Sequence, residues 1–356
     1  MITADLDREL AAAVAALVVA ETLPAAASQV TTAGTWRPAP DGNPASYATA
    51  VTFQIGKLTA IAPVSLAAAV AERLQAQPWI EAASSSGGGY LTVTVTPQAQ
   101  ADSAAGMATA GLSCAQSVIL SGATAAVRPW PDLAAVVGWQ QAWEQQAHAM
   151  ISRLARAAGA SATVSSERER GSTAEPSARP IRSPVPAAVA YFGIDSVRYR
   201  LARTLPGDAA RLSRMLRPGV RSADPLDPVQ EAHVAAVSTQ RWATDLRLDI
   251  SGPAERAGEL LSSPAERAML GVLSFLPVRV AAAARRGRPD ELPRYLETVS
   301  AAWLACRQAA PALPFGGYAA AREPQVVSAR LLLARAVAAV LAAGLTLSGV
   351  AARDRL

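Results

Sequence analysis

Gln230 and His233 lie three residues apart in the segment DPLDPVQEAHVAAVS, which is otherwise rich in alanine, valine and proline. In a helix this spacing places both side chains on one face, and Arg241 follows about two turns later. Both side chains can hydrogen-bond to a ligand, but a lone histidine in an apolar helix also serves as a packing residue bonded to the backbone. The segment therefore predicts either helix packing or ligand binding, and no catalytic base.

The residues that usually carry catalysis or hold metals are few and scattered. Cys114 and Cys306 are the two cysteines, and His148 and His233 are the two histidines. They lack the close spacing of a zinc cluster or a disulfide framework. No serine–histidine–aspartate set and no carboxylate pair stands out with a supporting local context. The sequence predicts no catalytic residue, no metal and no cofactor, and the cysteine usage fits a reducing cytoplasm.

Positive charge is concentrated in the second half of the chain. Residues 1–181 hold ten lysines and arginines against thirteen acidic residues, whereas residues 182–356 hold twenty-three against fifteen. Arg211, Arg214 and Arg217 follow one another every three residues, as phosphate contacts on one helical face would. The second half is thus the candidate for binding a polyanion, and a solvated arginine-rich helical surface is the alternative.

The first hundred residues have the pattern of a small α/β unit. Helical patterns run from Asp5 to about Glu21 and through SYATAVTFQIGKLTA and APVSLAAAVAERLQAQPWI. The next segment, AASSSGGGYLTVTVTP, alternates hydroxyl-bearing residues with Leu91, Val93 and Val95. This alternation predicts a half-buried strand after a glycine turn.

The rest of the chain is predicted to be mainly helical. Residues 98–160 contain short apolar runs and one predicted helix, WQQAWEQQAHAMISRLARAAG. The charged stretch SSERERGSTAEPSARPIRSPVP has no apolar periodicity, which predicts a linker. Beyond it, helical segments separated by proline or glycine predict an antiparallel bundle, in which PAERAMLGVLSFLPVRVAAAARR is a single helix. The apolar segment AVAAVLAAGLTLSGVAA is interrupted by two glycines, so we expect no membrane span.

Four segments of the second half occur in an order that resembles a known domain. They are GIDSVRYRLAR, DPLDPVQEAHVAAVS, ERAMLGVLSFLPVRVAAAARRGRPDELPRYLETVSAAW and SARLLLARAVAAVLAAGLTLSGVAARDRL. In this order they resemble the DALR-type anticodon-binding domain of arginyl-tRNA synthetases, whose second element typically reads N-P-x-Y-Y-V-Q-Y-A-H-A-R. The matching residues are Pro225, Val229, Gln230, Ala232 and His233. The tyrosines and the arginine of that pattern are replaced by Asp227, Pro228, Glu231 and Ala235.

The N-terminal unit resembles the additional N-terminal domain of the same family, which contacts the outer corner of tRNA at the D-loop. SYATAVTFQIGKL is similar to the family's G-D-Y-A-T-N-x-A-x-x-L-A-K and retains Tyr47, Ala48, Thr49 and Lys57. SSGGGYLTVTV is similar to the family's G-P-G-F/Y-L-N. The resemblance implies that Tyr90 lies near a D-loop base and that Thr92 stands where the family has asparagine.

The catalytic centre of that family has no counterpart in this sequence. In the family, a Rossmann domain lies between the two ends and binds ATP through an H-x-G-H element and a K-M-S-K-like loop. This sequence contains no H-x-G-H, and its only lysine, Lys57, belongs to the N-terminal unit. Adenylyl transfer needs cationic groups or a metal set against the developing charge. The resemblance therefore implies RNA binding without aminoacylation.

Together these patterns predict an α+β, predominantly helical chain in four parts. An arginyl-tRNA synthetase N-terminal-like α/β domain is predicted at 1–97, and an unassigned middle region, vestigial or novel, at 98–164. A linker is predicted at 165–186. A helical bundle of the DALR anticodon-binding type is predicted at 187–356.

The predicted function is noncatalytic binding of tRNA, or of a tRNA-like RNA, in the cytoplasm, with delivery to an aminoacyl-tRNA synthetase or a tRNA-using enzyme. The predicted contacts are Gln230, His233, Arg241, Arg211, Arg214 and Arg217 in the C-terminal domain, and Tyr90, Thr92 and Lys57 in the N-terminal domain. Two alternatives stay open. One is a protein-interaction scaffold whose RNA binding has decayed. The other is a tRNA-dependent tailoring enzyme with a site in the middle region, around Trp130, Trp139, Trp143 and His148.

Overall fold

The computed structural model describes residues 2–163, 184–205, 207–217, 219, 223–248, 256–313 and 323–355. The chain forms two compact units, each assembled from three stretches of sequence. The first unit comprises Met1–Cys114, Ala236–Val278 and Ala302–Ala339, and the second comprises Ala115–Ala235, Arg279–Ala301 and Val340–Leu356. The four predicted parts stay predictions, and most of the predicted linker at 165–186 lies outside the described residues.

Four α-helices and a four-stranded sheet make up residues 2–110. The elements are α1 (Ile2–Val19), β1 (Arg37–Pro38), β2 (Ser46–Thr49), α2 (Val51–Thr59), α3 (Pro63–Leu74), β3 (Ile80–Ser86), β4 (Tyr90–Val95) and α4 (Pro97–Ala110). The strand order is β1-β2-β4-β3, and every neighbouring pair is antiparallel. The predicted small α/β unit is confirmed.

The predicted strand is β4, which lies between two neighbours in the sheet. Leu91, Val93 and Val95 are fully buried, as the alternation in the sequence requires. Helix α3 packs against β3 and β4. The opposite face of β4 begins with Tyr90, which is exposed.

The segment SYATAVTFQIGKLTA was predicted as one helix, and that prediction is wrong for its first residues. Ser46–Thr49 form β2, which pairs with β4, and α2 begins only at Val51. The ring of Tyr47 is fully buried, and its hydroxyl donates a hydrogen bond to Ser274 Oγ at 2.8 Å. Burial raises the pKa of Tyr47 to about 12. Pairing with a distant strand and burial of this ring outweigh the local helical pattern.

In the second unit, a β–α–β crossover precedes a group of short helices. Its elements up to residue 215 are β5 (Thr124–Ala126), α5 (Trp139–Ala157), β6 (Ser161–Thr163), α6 (Pro184–Phe192), α7 (Ile194–Arg203) and α8 (Ala209–Met215). Strands β5 and β6 pair in parallel, and α5, a predicted helix, connects them as a parallel pair requires. Side chains such as Trp139, Val197 and Leu212 join α5, α7 and α8 in one apolar core.

Every described element from residue 184 onward is a helix, which confirms the predicted helical character. The remaining helices are α9 (Asp227–Asp245), α10 (Ala257–Leu260), α11 (Pro264–Leu273), α12 (Leu276–Arg286), α13 (Glu291–Ala309) and α14 (Pro324–Leu347). The segment predicted as one helix at 264–286 is instead two, α11 and α12. Pro277 lacks the N–H that a continuous helix needs and would clash with the carbonyl of Leu273, and the Ser274 hydroxyl donates to the carbonyl of Gly271.

Helix α14 is the one helix, taken singly among the described residues, that is long and apolar enough to cross a membrane. However, 67% of its most apolar window is buried within the chain. Such burial is typical of the core helix of a globular protein.

Candidate nucleic-acid interface

One face of the four-stranded sheet carries hydroxyl groups and the exposed ring of Tyr90. Successive strand residues point to opposite faces, so Tyr90 and Thr92 share the face opposite the buried residues of β4. Ser84 and Ser86 of β3 lie opposite Thr92 and Tyr90, which places them on the same face. The hydroxyl oxygens of Ser86 and Thr92 are 2.8 Å apart. This sheet face thus offers donors and acceptors beside an aromatic ring.

Tyr90 and Lys57, two of the predicted contacts, are both related to Phe53 of α2. The ring of Phe53 contacts that of Tyr90 edge to face, with centroids 5.0 Å apart. Lys57 follows Phe53 by four residues in α2, on the same helical face, and is exposed. The exposed ring thus packs on the helix that carries the exposed cation.

Arg37 adds a second cation that sequence reasoning missed. It lies on β1 opposite Ala48, and Ala48 lies opposite Thr92, so all three share the sheet face. Arg37 is exposed. It could not be assigned from the sequence because β1 is only two residues long and is recognised as a strand through its pairing with β2.

The turn before β4 fixes the position of Tyr90. Gly87, Gly88 and Gly89 all have positive φ, which favours glycine. A Cβ on Gly89 would lie 2.6 Å from the Cβ of Pro63, so only glycine fits against the start of α3. The Thr52 hydroxyl donates to the carbonyl of Gly89. The predicted glycine turn therefore fixes the end of β4 that carries the ring of Tyr90.

Gln230 and His233 are buried, and both side chains bind the backbone of the C-terminal segment. Gln230 donates to the carbonyl of Ala351 at 2.7 Å and accepts from the N–H of Arg353 at 3.3 Å. His233 Nδ1 lies 2.9 Å from the carbonyl oxygen of Arg353. Of the two roles predicted for this pair, packing is the one seen in the structure. A contact with RNA through either side chain requires release of residues 351–353.

The predicted arginines of α8 are exposed. Arg211 and Arg214 lie within the helix, while Arg217 follows its end at Met215. Arg211 also lines a cavity of about 130 Å³, together with Arg200, Arg203 and Arg294.

These three cavity arginines have acidic partners. Arg203 donates two hydrogen bonds to Glu297, which raises the pKa of that guanidinium. Arg200 pairs with Asp224 at 3.6 Å, and Arg294 with Asp290 at 3.3 Å. Most of the positive charge at this cavity is therefore compensated within the protein.

Trp242 is an exposed aromatic residue of α9 that the sequence prediction did not include. Its side chain is 53% exposed and lines an apolar cavity of about 390 Å³ with Trp303 and Arg307. The neighbouring Arg241, a predicted contact, donates to Ser238 Oγ at 2.7 Å and forms no salt bridge within the described part of the chain. A cavity of this size matches a small ligand or a single nucleobase. The available signal was the tryptophan itself, placed in the polar run TQRWATD.

The tryptophans of the middle region mainly serve packing. Trp139 belongs to the apolar core of the second unit, and Trp143 packs against that core and donates to the carbonyl of Thr204 at 3.1 Å. His148, on α5, is exposed. Across the residues that the structure describes, no group of three or more histidine, cysteine or acidic side chains is arranged to hold a metal ion.

Comparison with known proteins matches the two ends of the chain to domains of one enzyme family. Residues 4–95 match the arginyl-tRNA synthetase N-terminal domain, and residues 229–356 match the DALR anticodon-binding domain. The resemblance predicted from the sequence motifs is confirmed for these two segments. The residues between them, 96–228, fall in neither match.

Similar curated proteins are arginine–tRNA ligases. That of Micrococcus luteus is 32% identical over 171 residues, which are 47% of this chain and 30% of the ligase. That of Paenarthrobacter aurescens is 32% identical over 170 residues, with the same two shares. The chain thus spans about 30% of the length of the curated relatives it matches. Among solved structures, the arginyl-tRNA synthetase of Thermus thermophilus matches 66% of this chain and 34% of its own length, at 19% identity and a TM-score of 0.34.

Proposed function

We propose that this chain binds tRNA, or an RNA of tRNA-like structure, through its two synthetase-like segments and does not attach an amino acid to it. The observation that carries the proposal is that each matched segment presents an exposed aromatic ring beside a cation. In the first segment Tyr90 packs on Phe53, one helical turn before Lys57, and in the second Trp242 lines one cavity with Arg307. Proteins hold unpaired bases by stacking on aromatic rings and hold the adjoining phosphates with basic side chains.

In the N-terminal segment, the sheet face is the proposed contact with the corner of the RNA. Tyr90 offers its exposed ring to a base, and Thr92 offers a hydroxyl to a base edge or a ribose. Lys57 and Arg37 lie at the margins of this face and are the proposed phosphate contacts.

In the C-terminal segment, the cavity beside Trp242 is the proposed place for one unpaired base. The exposed indole supplies a stacking surface, Arg307 supplies donors, and Asp245 supplies acceptors. Arg241 is the proposed phosphate contact next to this cavity. Arg211, Arg214 and Arg217, which precede the matched segment in the sequence, are further proposed phosphate contacts. Gln230 and His233 join this set only where residues 351–353 are displaced.

The proposed lack of aminoacylation depends on the sequence between the two matched segments. Residues 96–228 contain no H-x-G-H element and no lysine. A protein with these properties would hold tRNA and pass it on, and we propose an aminoacyl-tRNA synthetase or another tRNA-using enzyme of the cytoplasm as the recipient.

Binding of unfractionated tRNA, measured by fluorescence anisotropy between 50 and 200 mM salt, tests this function. With the six proposed phosphate contacts, log K should fall with log salt concentration at a slope of about −4 to −5. Heparin of similar charge serves as the control, because a base-stacking site gives tRNA an advantage that a sugar polyanion lacks. Failure to bind tRNA more tightly than heparin would contradict the proposal.

A scaffold role is the second candidate, and one observation favours it. At the positions where the family pattern has tyrosines, this chain has Asp227, Pro228 and Glu231, and all three are exposed. Without these rings, RNA binding at this surface lacks about 1–3 kcal/mol of stacking free energy per base. If tRNA does not bind while a protein partner forms a stable complex, the scaffold role replaces the RNA-binding role.

A further inference from the structure

Outside both matched segments, two arginines of the second unit, Arg153 and Arg198, contact Trp130, and Arg128 and Arg156 lie beside Arg153. Arg128 and Trp130 lie between β5 and α5, Arg153 and Arg156 lie on α5, and Arg198 lies on α7. These five residues are called the middle cluster below. The sequence predicts Trp130 as part of an alternative enzyme site, whereas in the structure its ring contacts two cations.

Two guanidinium groups of the middle cluster are held against the indole ring. The guanidinium carbon of Arg153 lies 4.0 Å from the ring centroid of Trp130, and that of Arg198 lies 5.9 Å from it. These distances are typical of cation–π contacts. Backbone carbonyls fix the same groups, because Arg153 donates to Arg128 at 2.7 Å and Arg198 donates to Gly349 at 3.2 Å. The cations are therefore ordered before any ligand arrives.

Trp130 itself has little freedom. Gly349 packs against its ring so closely that a Cβ on the glycine would lie 2.9 Å from the indole. Gly349 also has a φ of +77°, a conformation that favours glycine. The ring is half-buried and provides a fixed surface against which the guanidinium groups pack.

The charge of the middle cluster is only partly compensated by acidic groups. Among the residues that the structure describes, none of its four arginines forms a salt bridge. Burial lowers the pKa of Arg153, and the charges of Arg156 and Arg198 lower it further. Asp132 and Asp195 face Arg198 at longer range, and Asp195 is also paired with Arg353 at 3.3 Å.

Three other arginines of the described residues have close acidic partners instead. Arg203 is paired with Glu297, Arg288 with Asp290, and Arg330 with Glu266, at 2.5, 2.8 and 2.7 Å. Those pairs satisfy structural charges within the protein. Repulsion within the middle cluster raises the free energy of the folded state, and an anion bound there would relieve it.

We infer that the middle cluster binds the phosphodiester backbone of an RNA, as a third contact surface besides the two matched segments. This inference rests on the proposed function. Guanidinium groups match the geometry of phosphate oxygens through two parallel hydrogen bonds, and a group of four offers donors to more than one phosphate. An acidic protein is the alternative ligand, and binding of poly-glutamate distinguishes it from RNA.

The test uses the two exposed arginines of the cluster, whose replacement removes charge without opening the core. Arg128→Gln and Arg156→Gln are combined in one variant, and Arg73→Gln and Arg285→Gln are combined in a matched control. All four side chains are exposed. Arg156 and Arg285 each lie in the last turn of a helix, so the two variants lose the same charge in similar settings.

We expect the cluster variant to bind tRNA at least about tenfold more weakly than the control variant in 0.1 M salt. Its log K against log salt slope should be shallower by about 1.8, the value for two lost phosphate contacts. Equal tRNA binding by the two variants, with the unmodified chain binding normally, would overturn the inference and leave the proposed function intact. Absence of tRNA binding by the unmodified chain would instead overturn the proposed function and, with it, this inference.

The same two variants are then tested with poly-glutamate. If the cluster variant loses poly-glutamate binding but keeps tRNA binding, the middle cluster is a docking surface for acidic protein and the inference is wrong. If tRNA binding alone is weakened, the inference is supported.

Discussion

Two regions of the molecule carry residues that the family motifs single out, and the structure treats them in opposite ways. On β4, Tyr90 is 45% exposed at the edge of a sheet face. On α9, Gln230 and His233 are 4% and 3% exposed and are bonded to the C-terminal backbone. Tyr90 and the Gln230–His233 pair all match the motifs of one family. A match to a family motif therefore includes residues that build the domain and does not by itself identify an exposed site.

The difference follows from the neighbours of each segment. The residues of β4 alternate between a covered face and a partly open face, so a strand keeps half of its side chains available. Helix α9 is covered by a distant segment at the level of Gln230 and His233, about 120 residues later in the sequence. Two turns further along, at Trp242, the same helix is exposed again. On α9, the candidate RNA contact is therefore the exposed Trp242 and not the buried motif residues Gln230 and His233.

The largest effect is expected from Gln230→Ala. The change removes two hydrogen bonds between a buried side chain and the backbone of the C-terminal segment, which lowers the free energy of unfolding by about 2 kcal/mol at about 1 kcal/mol per bond. Urea unfolding measures this loss, and Glu231→Ala, an exposed neighbour, serves as the control with a change of about 0.5 kcal/mol or less. If Gln230→Ala weakens tRNA binding while the unfolding curve stays unchanged, the residue contacts RNA and the comparison between the two regions fails.

Trp242→Ala should act on binding and not on folding. The exposed ring contributes stacking with one base, so its loss should weaken tRNA binding about tenfold. Trp242→Phe should restore part of the affinity, because a smaller ring still stacks. Thr244→Ala, on the same exposed turn, is the control, and both properties are read from anisotropy and urea unfolding. An unfolding midpoint that falls with the affinity would assign Trp242 to packing.

Tyr90→Ala should have a smaller effect of the same kind. Because part of the ring already packs against Phe53, we expect tRNA affinity to fall about fivefold. Tyr90→Phe should bind nearly as well as the unmodified chain, since stacking needs the ring and not the hydroxyl. Equal losses in the two variants would show that the hydroxyl makes the contact and that stacking does not.

The smallest effect on tRNA binding is expected from replacing the two proposed phosphate contacts beside the sheet face. Lys57→Gln and Arg37→Gln each remove one proposed phosphate contact, and each should make the salt slope of tRNA binding shallower by about 0.9. Arg73→Gln removes the same charge from an exposed position on α3 and should leave the slope unchanged. A slope that changes equally in all three variants would indicate a diffuse effect of net charge.

Much of the fold follows from local patterns in the sequence. The alternation at Leu91, Val93 and Val95 predicts β4, and the amphipathic run at 139–157 predicts α5. Strand β2 could not be predicted, because its four residues become a strand only by pairing with β4. The break between α11 and α12 had a local signal in Pro277, but the long apolar run around it favoured one helix.

The candidate site was less accessible to sequence reasoning. Tyr90 and His233 differ in how exposed their side chains are, and that exposure depends on which distant segment covers each of them. The hydrogen bonds between Gln230 and residues 351–353 join parts of the chain that no local sequence pattern relates. The middle cluster likewise forms only when Arg153 and Arg198 meet Trp130.

Ultraviolet crosslinking of the full chain to tRNA, followed by mass spectrometry of the crosslinked peptides, tests the central claim most directly. We expect crosslinks at Tyr90 and Trp242 and none in the peptide that contains Gln230 and His233. Crosslinks confined to that peptide, or tRNA crosslinking no greater than that of heat-denatured protein, would contradict the proposed binding through exposed rings.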